Sequence, residues 1–216
     1  MSSSARWSLA ALLVVIGLVV AIWPRGDDGV SDSGPRSGAD SSLQAPSVDT
    51  GDLAALRADA ALAACPQPSD STGPEAALAG LVLTCLADGA PVDVAAAVAG
   101  TPTIVNLWAY WCAPCAEELP YLQQFSDRAG DAVNVLTVHT DPNESAALSR
   151  LADYDVTLPG VQDARAQIRS ALGAPAVLPV SVLIRADGTV ARILPQPFHS
   201  VDEIADAVER DLGVAV

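Results

Sequence analysis

TIVNLWAYWCAPCAEELP, residues 103–120, changes from one periodicity to another within a few positions. Residues 103–109 are a near-continuous apolar run in which Asn106 is the only strongly polar residue, the pattern of a strand covered on both faces. Residues 113–128 follow a helical pattern, with Pro114 in the first turn, where a missing N–H does no harm. Pro120 predicts a kink inside that helix. At the junction stand Trp111, Cys112, Ala113, Pro114 and Cys115. A Cys-x-x-Cys pair where a strand meets a helix is in the setting that redox activity requires. The helix start presents unpaired N–H groups and the positive end of the macrodipole, both of which favour the Cys112 thiolate over the thiol. Cys112 is therefore the expected attacking sulfur. Cys115, three residues on and less exposed, is placed to resolve a mixed disulfide.

Elements on either side complete an α/β pattern. Upstream, residues 53–64 form a short helix after a plausible N-cap at Asp52, and residues 81–93 read as two extended pieces around Asp88-Gly89. Downstream come a buried strand at 134–140, helices at 142–155 and 163–172, a hairpin turning at Asp187-Gly188, and a closing helix from Ser200 to Leu212. Helices alternating with buried strands and a terminal hairpin predict an α/β sandwich with a mixed central sheet. No internal repeat is present.

The 216 residues suffice for one domain with a sizeable core plus appendages. Residues 1–23 hold a charge-free stretch, WSLAALLVVIGLVVAIW at 7–23, with a tryptophan at each end and Arg6 just before it. This predicts a single transmembrane anchor with a cytoplasmic start; a secretory signal cleaved near Val19-Val20-Ala21 is the competing reading. Residues 24–51, rich in Gly, Ser, Asp and Pro, predict a disordered linker with a reach on the order of 30 Å. Residues 52–216 form the folded domain, of which 52–100 are an N-terminal extension. Both readings of the N-terminus export the domain.

Charge narrows the function. There are 26 acidic residues against 11 basic ones, every basic residue is arginine, and the net charge is −15. Such a field repels phosphate backbones, so nucleic acid is not an expected partner. The absence of lysine removes Schiff-base and P-loop chemistry. Ala116, where haem attachment needs His, argues against a c-type haem. Cys65 and Cys85 are not a close pair and no His lies near them, so a four-cysteine zinc site is not expected, and no metal or other cofactor is called for. In an exported chain these two cysteines are expected to pair as a structural staple, with a second redox pair as the alternative. His139 and His199 have no second ligand at metal spacing and are assigned no chemistry.

With these residues in view, WAYWCAPCAEELP after an apolar strand resembles the thioredoxin superfamily, and within it the exported TlpA/ResA-like thiol:disulfide oxidoreductases. The likeness covers about residues 80–213. It implies a thioredoxin fold with an N-terminal extension and an inserted helix. It also implies that Pro179, in VLPVSVLI, is a cis-proline facing the cysteine pair, preceded by Leu178. Glu118, one turn after Cys115, matches a glutamate of that branch and is implied as the carrier of the Cys115 proton; the competing reading has Glu117 and Glu118 solvated near a helix start. Asn106 stands where thioredoxins proper carry a buried Asp. An amide cannot take up a proton, so Asn106 is expected to order hydrogen bonds beneath the site or to satisfy a backbone group. Trp111 borders the cysteine loop and is placed to touch a substrate, whereas Trp108 is expected to pack in the core.

The expected activity is therefore disulfide exchange with protein substrates outside the cytoplasm, using only the Cys112–Cys115 couple. The resemblance implies a reductase fed by a membrane electron donor and serving cytochrome c maturation or disulfide repair. The Ala-Pro inner pair leaves a disulfide-forming oxidase open. A non-enzymatic binding module working through the Pro179 face is the alternative from another class. A peroxidase is disfavoured by Ala109-Tyr110-Trp111 before Cys112, where that chemistry uses Thr-x-x-Cys.

Overall fold

The computed structural model describes residues 50–66 and 78–216. The anchor expected at 7–23 and residues 24–49 of the linker expected at 24–51 lie outside these residues, while the linker's last two positions, 50 and 51, are helical. Among the described residues no helix is long and apolar enough to cross a membrane.

Seven strands form one mixed sheet. In chain order they are β1 (Val82–Cys85), β2 (Pro91–Asp93), β3 (Thr103–Trp108), β4 (Asn134–His139), β5 (Gly160–Gln162), β6 (Val180–Ile184) and β7 (Val190–Leu194). Their spatial order is β2-β1-β5-β4-β3-β6-β7. Strands β3, β4 and β5 run parallel, while β6 is antiparallel to β3 and to β7, and β1 is antiparallel to β5 and to β2. Every residue of β3 is buried, as a strand covered on both faces demands.

Helices cover both faces: α1 (Thr50–Ala60), α2 (Val94–Ala97), α3 (Ala113–Ala129), α4 (Glu144–Asp153), α5 (Gln167–Leu172) and α6 (Val201–Leu212). Alternation along β3 sends Ile104 and Trp108 into one core, with Leu119, Leu122 and Phe125 of α3, Leu148 and Leu151 of α4, and Ile204 and Val208 of α6. Val105 and Leu107 point into the other, with Val94 and Val98 around α2 and Ile168 and Leu172 of α5. Both turns expected from Asp-Gly pairs are present, with Gly89 at φ 79° and Gly188 at φ 85°.

The segment before β1 is held by an ion pair to α4 and a disulfide to β1, while β1 itself pairs with β5. Arg57 of α1 forms a largely buried ion pair with Glu144 of α4 at 2.8 Å. A disulfide joins Cys65 to Cys85 at the end of β1 across 20 positions, for which chain entropy predicts about 3 kcal/mol of stabilisation.

Three local expectations are corrected. Helix α1 starts at Thr50, ahead of Asp52, which therefore lies in the first turn, where its charge still complements the dipole. The helix expected over 163–172 spans only 167–172. Asp163 turns its carboxylate onto the N–H groups of Gln167 and Ile168, and Ala166 enters from the left-handed region at φ 51°. Strand β5 was not anticipated because it has only three residues and opens on glycine. That glycine is required, since a Cβ at Gly160 would lie 2.5 Å from Thr137 Oγ1. Helix α3, meanwhile, continues through Pro120 to Ala129 without interruption.

Candidate active site

Strand β3 ends at Trp108, and the chain needs four residues to turn into α3. Cys112 is the N-cap, and its sulfur accepts a hydrogen bond from the Cys115 N–H at 3.3 Å. Pro114 sits in the first turn, as the sequence anticipates. Cys112 and Cys115 are joined by a disulfide with Cα atoms 5.3 Å apart. Cys112 is 6% exposed and Cys115 is fully buried, so a partner can reach the pair only through Cys112.

Cys112 lies where two clefts meet. One, of about 550 Å³, is lined by Pro114 at the start of α3 and by Leu178 in the segment before β6. The Leu178–Pro179 peptide is cis. The other, of about 510 Å³, continues past Glu117 and Pro120 to Arg150 and Tyr154. Trp111 walls both clefts and is 60% exposed. Its indole N–H donates to Asp141 Oδ2 at 3.0 Å, and the Asp141 carbonyl in turn accepts from Gln162 Nε2. Sequence reasoning missed Asp141, which is tied to Trp111 only by the adjacency of β3 and β4.

Beneath the pair lies a buried polar group. Glu118 is fully buried, so the solvated reading does not hold for it and does hold for Glu117, which is exposed. One carboxylate oxygen accepts from the Phe198 N–H at 3.0 Å and the other from Asn106 Nδ2 at 2.9 Å. Asn106 Nδ2 also donates to Ser181 Oγ at 3.0 Å, while its Oδ1 has no partner. Burial pushes the Glu118 pKa up to about 7, against the opposing pull of the two hydrogen bonds. Asn106 thus orders the Glu118 carboxylate rather than satisfying a backbone group. Ser181 and Phe198, which are 75 and 80 positions away from their partners, give no local signal in the sequence.

The remaining residues pack. Trp108 is fully buried with its ring 5.0 Å from that of His139, and His139 Nδ1 pairs with Gln162 Oε1 at 2.9 Å. Burial lowers the His139 pKa and keeps the ring neutral. Among the described residues no group of three or more His, Cys, Asp or Glu side chains could hold a metal.

Comparison with known proteins places this geometry among relatives. Residues 67–208, about two thirds of the chain, match the Redoxin family model. The chain is 28% identical over 96 residues to the thiol-disulfide oxidoreductase ResA of Bacillus subtilis, covering 44% of this chain and 53% of that protein. It is 27% identical over 104 residues to sporulation thiol-disulfide oxidoreductase A of the same organism, covering 46% and 62%. The chain thus spans about half the length of the curated ResA relatives it matches. Among solved structures, a secreted disulfide oxidoreductase of Mycobacterium tuberculosis homologous to E. coli DsbE superposes with a TM-score of 0.54 at 28% identity, covering 64% of this chain and 99% of that one.

Proposed function

This chain belongs to the Redoxin family, and from that premise we propose that it is an extracytoplasmic thiol-disulfide oxidoreductase whose working couple is Cys112–Cys115. The observation that carries the reading is the disulfide at the first turn of α3, with Cys112, the 6% exposed partner, where two clefts meet and Cys115 fully buried. In the reduced protein the Cys112 thiolate attacks a substrate disulfide, one substrate sulfur leaves, and a mixed disulfide forms on Cys112. Cys115 then attacks the Cys112 sulfur, closing the Cys112–Cys115 bond and releasing the second substrate sulfur. Two electrons pass to the substrate, and two protons accompany them.

Glu118 lies one turn beyond Cys115 on the same face of α3, and a carboxylate with a pKa of about 7 is matched to taking a thiol proton near neutral pH. The segment 176–178 makes no backbone hydrogen bond among the described residues and so offers its edge to an extended substrate peptide.

The direction is reduction of substrate. A strongly oxidising couple needs a strongly stabilised Cys112 thiolate, and the acidic side chain of exposed Glu117 in the next turn acts against one. Export is supported by the Cys65–Cys85 staple and by the apolar stretch at 7–23, which anchors the chain to the membrane, where an electron donor recharges the couple. Equilibrating the purified chain with glutathione and mapping its thiols tests the direction. A potential near −270 mV is expected; one near −120 mV would make the protein a disulfide-forming oxidase instead.

A further inference from the structure

The cleft between α3 and the Pro179 segment is apolar at its mouth and cationic at one wall. Trp111 and Val177, at 60% and 48% exposure, are two of the three large hydrophobic side chains left open among the described residues, and both line this cleft. Arg169 of α5 lines it as well and is the only charged side chain that does. Its guanidinium makes no hydrogen bond or ion pair among the described residues. The acid nearest to it in sequence, Asp163, is buried with both oxygens engaged by the Gln167 and Ile168 N–H groups and does not neutralise it. In a chain of net charge −15, an unpaired arginine lining the same cleft as Cys112 is a local reversal of the prevailing field.

The geometry points to Arg169 as a specificity-determining residue that selects peptide substrates carrying an Asp or Glu close to the reacting cysteine. This rests on the exchange reading proposed above and names its substrate class. The substrate backbone lies along segment 176–178, its apolar side chains cover Trp111 and Val177, and its carboxylate pairs with the Arg169 guanidinium, for which planar two-point recognition is the natural geometry. The overall negative charge of the protein slows the approach of an acidic peptide, so the preference is a contact effect within the cleft and not long-range steering.

Symmetric disulfides of monocysteine peptides test this, with Glu, Gln or Lys scanned over the three positions on each side of the cysteine, reacted with the reduced full chain. The Cys112 thiolate attacks the peptide disulfide, one peptide thiolate leaves and takes a proton, and a mixed disulfide forms on Cys112. Cys115 then attacks the Cys112 sulfur, closing the Cys112–Cys115 bond and releasing the second peptide thiolate. Each rate is divided by the rate of the same peptide disulfide with dithiothreitol, an uncharged dithiol, which removes the effect of the neighbouring residue on the peptide disulfide itself. At one or more positions Glu is expected to outpace Gln about tenfold. Arg169→Gln should bring that ratio close to one, Arg169→Glu should transfer the preference to Lys, and Arg169→Lys should retain part of it. Arg165→Gln, an equal charge change at an exposed residue outside the cleft, should leave it intact. A ratio near one in the unsubstituted protein, or a preference that survives Arg169→Gln or disappears in Arg165→Gln, would overturn the assignment. If no peptide of any charge reacts, the exchange reading itself fails and this inference fails with it.

Discussion

Cys112→Ser lowers the rate of disulfide exchange with a peptide disulfide by on the order of 10³-fold or more, because a serine hydroxyl is neither ionised near neutral pH nor able to form the mixed disulfide. The fold should survive the change. Cys112 closes a loop of only three positions, so losing the bond costs about 2 kcal/mol, and Cys112 stands at the edge of one core while the sheet and the Cys65–Cys85 staple are untouched. A binding module that merely carries these cysteines would behave differently, since its partner affinity would not depend on Cys112. Measuring exchange rate and unfolding midpoint on the same preparation separates loss of chemistry from loss of structure.

Glu118→Gln has the second large effect, and it appears in stability as well as in rate. The folded protein holds a proton on Glu118 up to pH about 7, whereas the unfolded chain releases it near pH 4.5. Glu118 therefore contributes stability that is fully present below pH 4.5, declines as pH rises, and is lost above about 7. The amount is about 3 kcal/mol, equivalent to roughly 10 °C in unfolding midpoint for a domain of this size. The amide cannot ionise, so Glu118→Gln should remove this slope and leave the variant more stable than the parent at pH 8. Asn106 can present its unpaired Oδ1 to the new amide by turning its side chain. Buried neutral His139 acts in the opposite sense, losing stability as pH falls below 6.5, so the difference between variant and parent is the quantity to follow. In the same variant, closure of the Cys112–Cys115 bond should slow by about 10²-fold and lose its rise near pH 7. Parallel stability curves for the two proteins between pH 4.5 and 8 would remove Glu118 from the account.

What the sequence made legible was local. The uniform apolarity of residues 103–109, the proline in the first turn after Cys112 and the Asp-Gly turns each act within a few residues, and each leads to the element it implies. The Cys65–Cys85 pairing followed from chemistry rather than position, since an exported chain tends to join spare cysteines. Other features depended on contacts across the fold. Strand β5 is three residues held between β1 and β4, without a pattern of its own. Helix α5 loses its expected first turn because Asp163 caps from outside it. Glu118 carried two signals that conflicted: its spacing from Cys115 and Leu122 favoured the buried face of α3, while its charge favoured solvent. Phe198 and Asn106, which supply the hydrogen bonds that let a carboxyl occupy that core, come from other elements and resolve the conflict.

Arg169 shows the same limit from the opposite side. As one of eleven arginines in an acidic chain it was unremarked, and only the path of residues 176–178 beside α5 places it in the cleft of Cys112. The residues lining that cleft come from separate parts of the chain, Arg169 from α5 and Val177 from the segment before β6, whereas Cys112 and Cys115 sit together at a helix start.

The central claim is that Cys112 is the sulfur that partners meet and Cys115 the one that releases them. Trapping tests it most directly: the Cys115→Ser chain, with Cys112 reduced, is mixed with a disulfide-linked peptide, digested and mapped by mass spectrometry. The account predicts a stable peptide adduct on Cys112, with Cys65 and Cys85 still joined to each other. No adduct, or an adduct on Cys65 or Cys85, would contradict it.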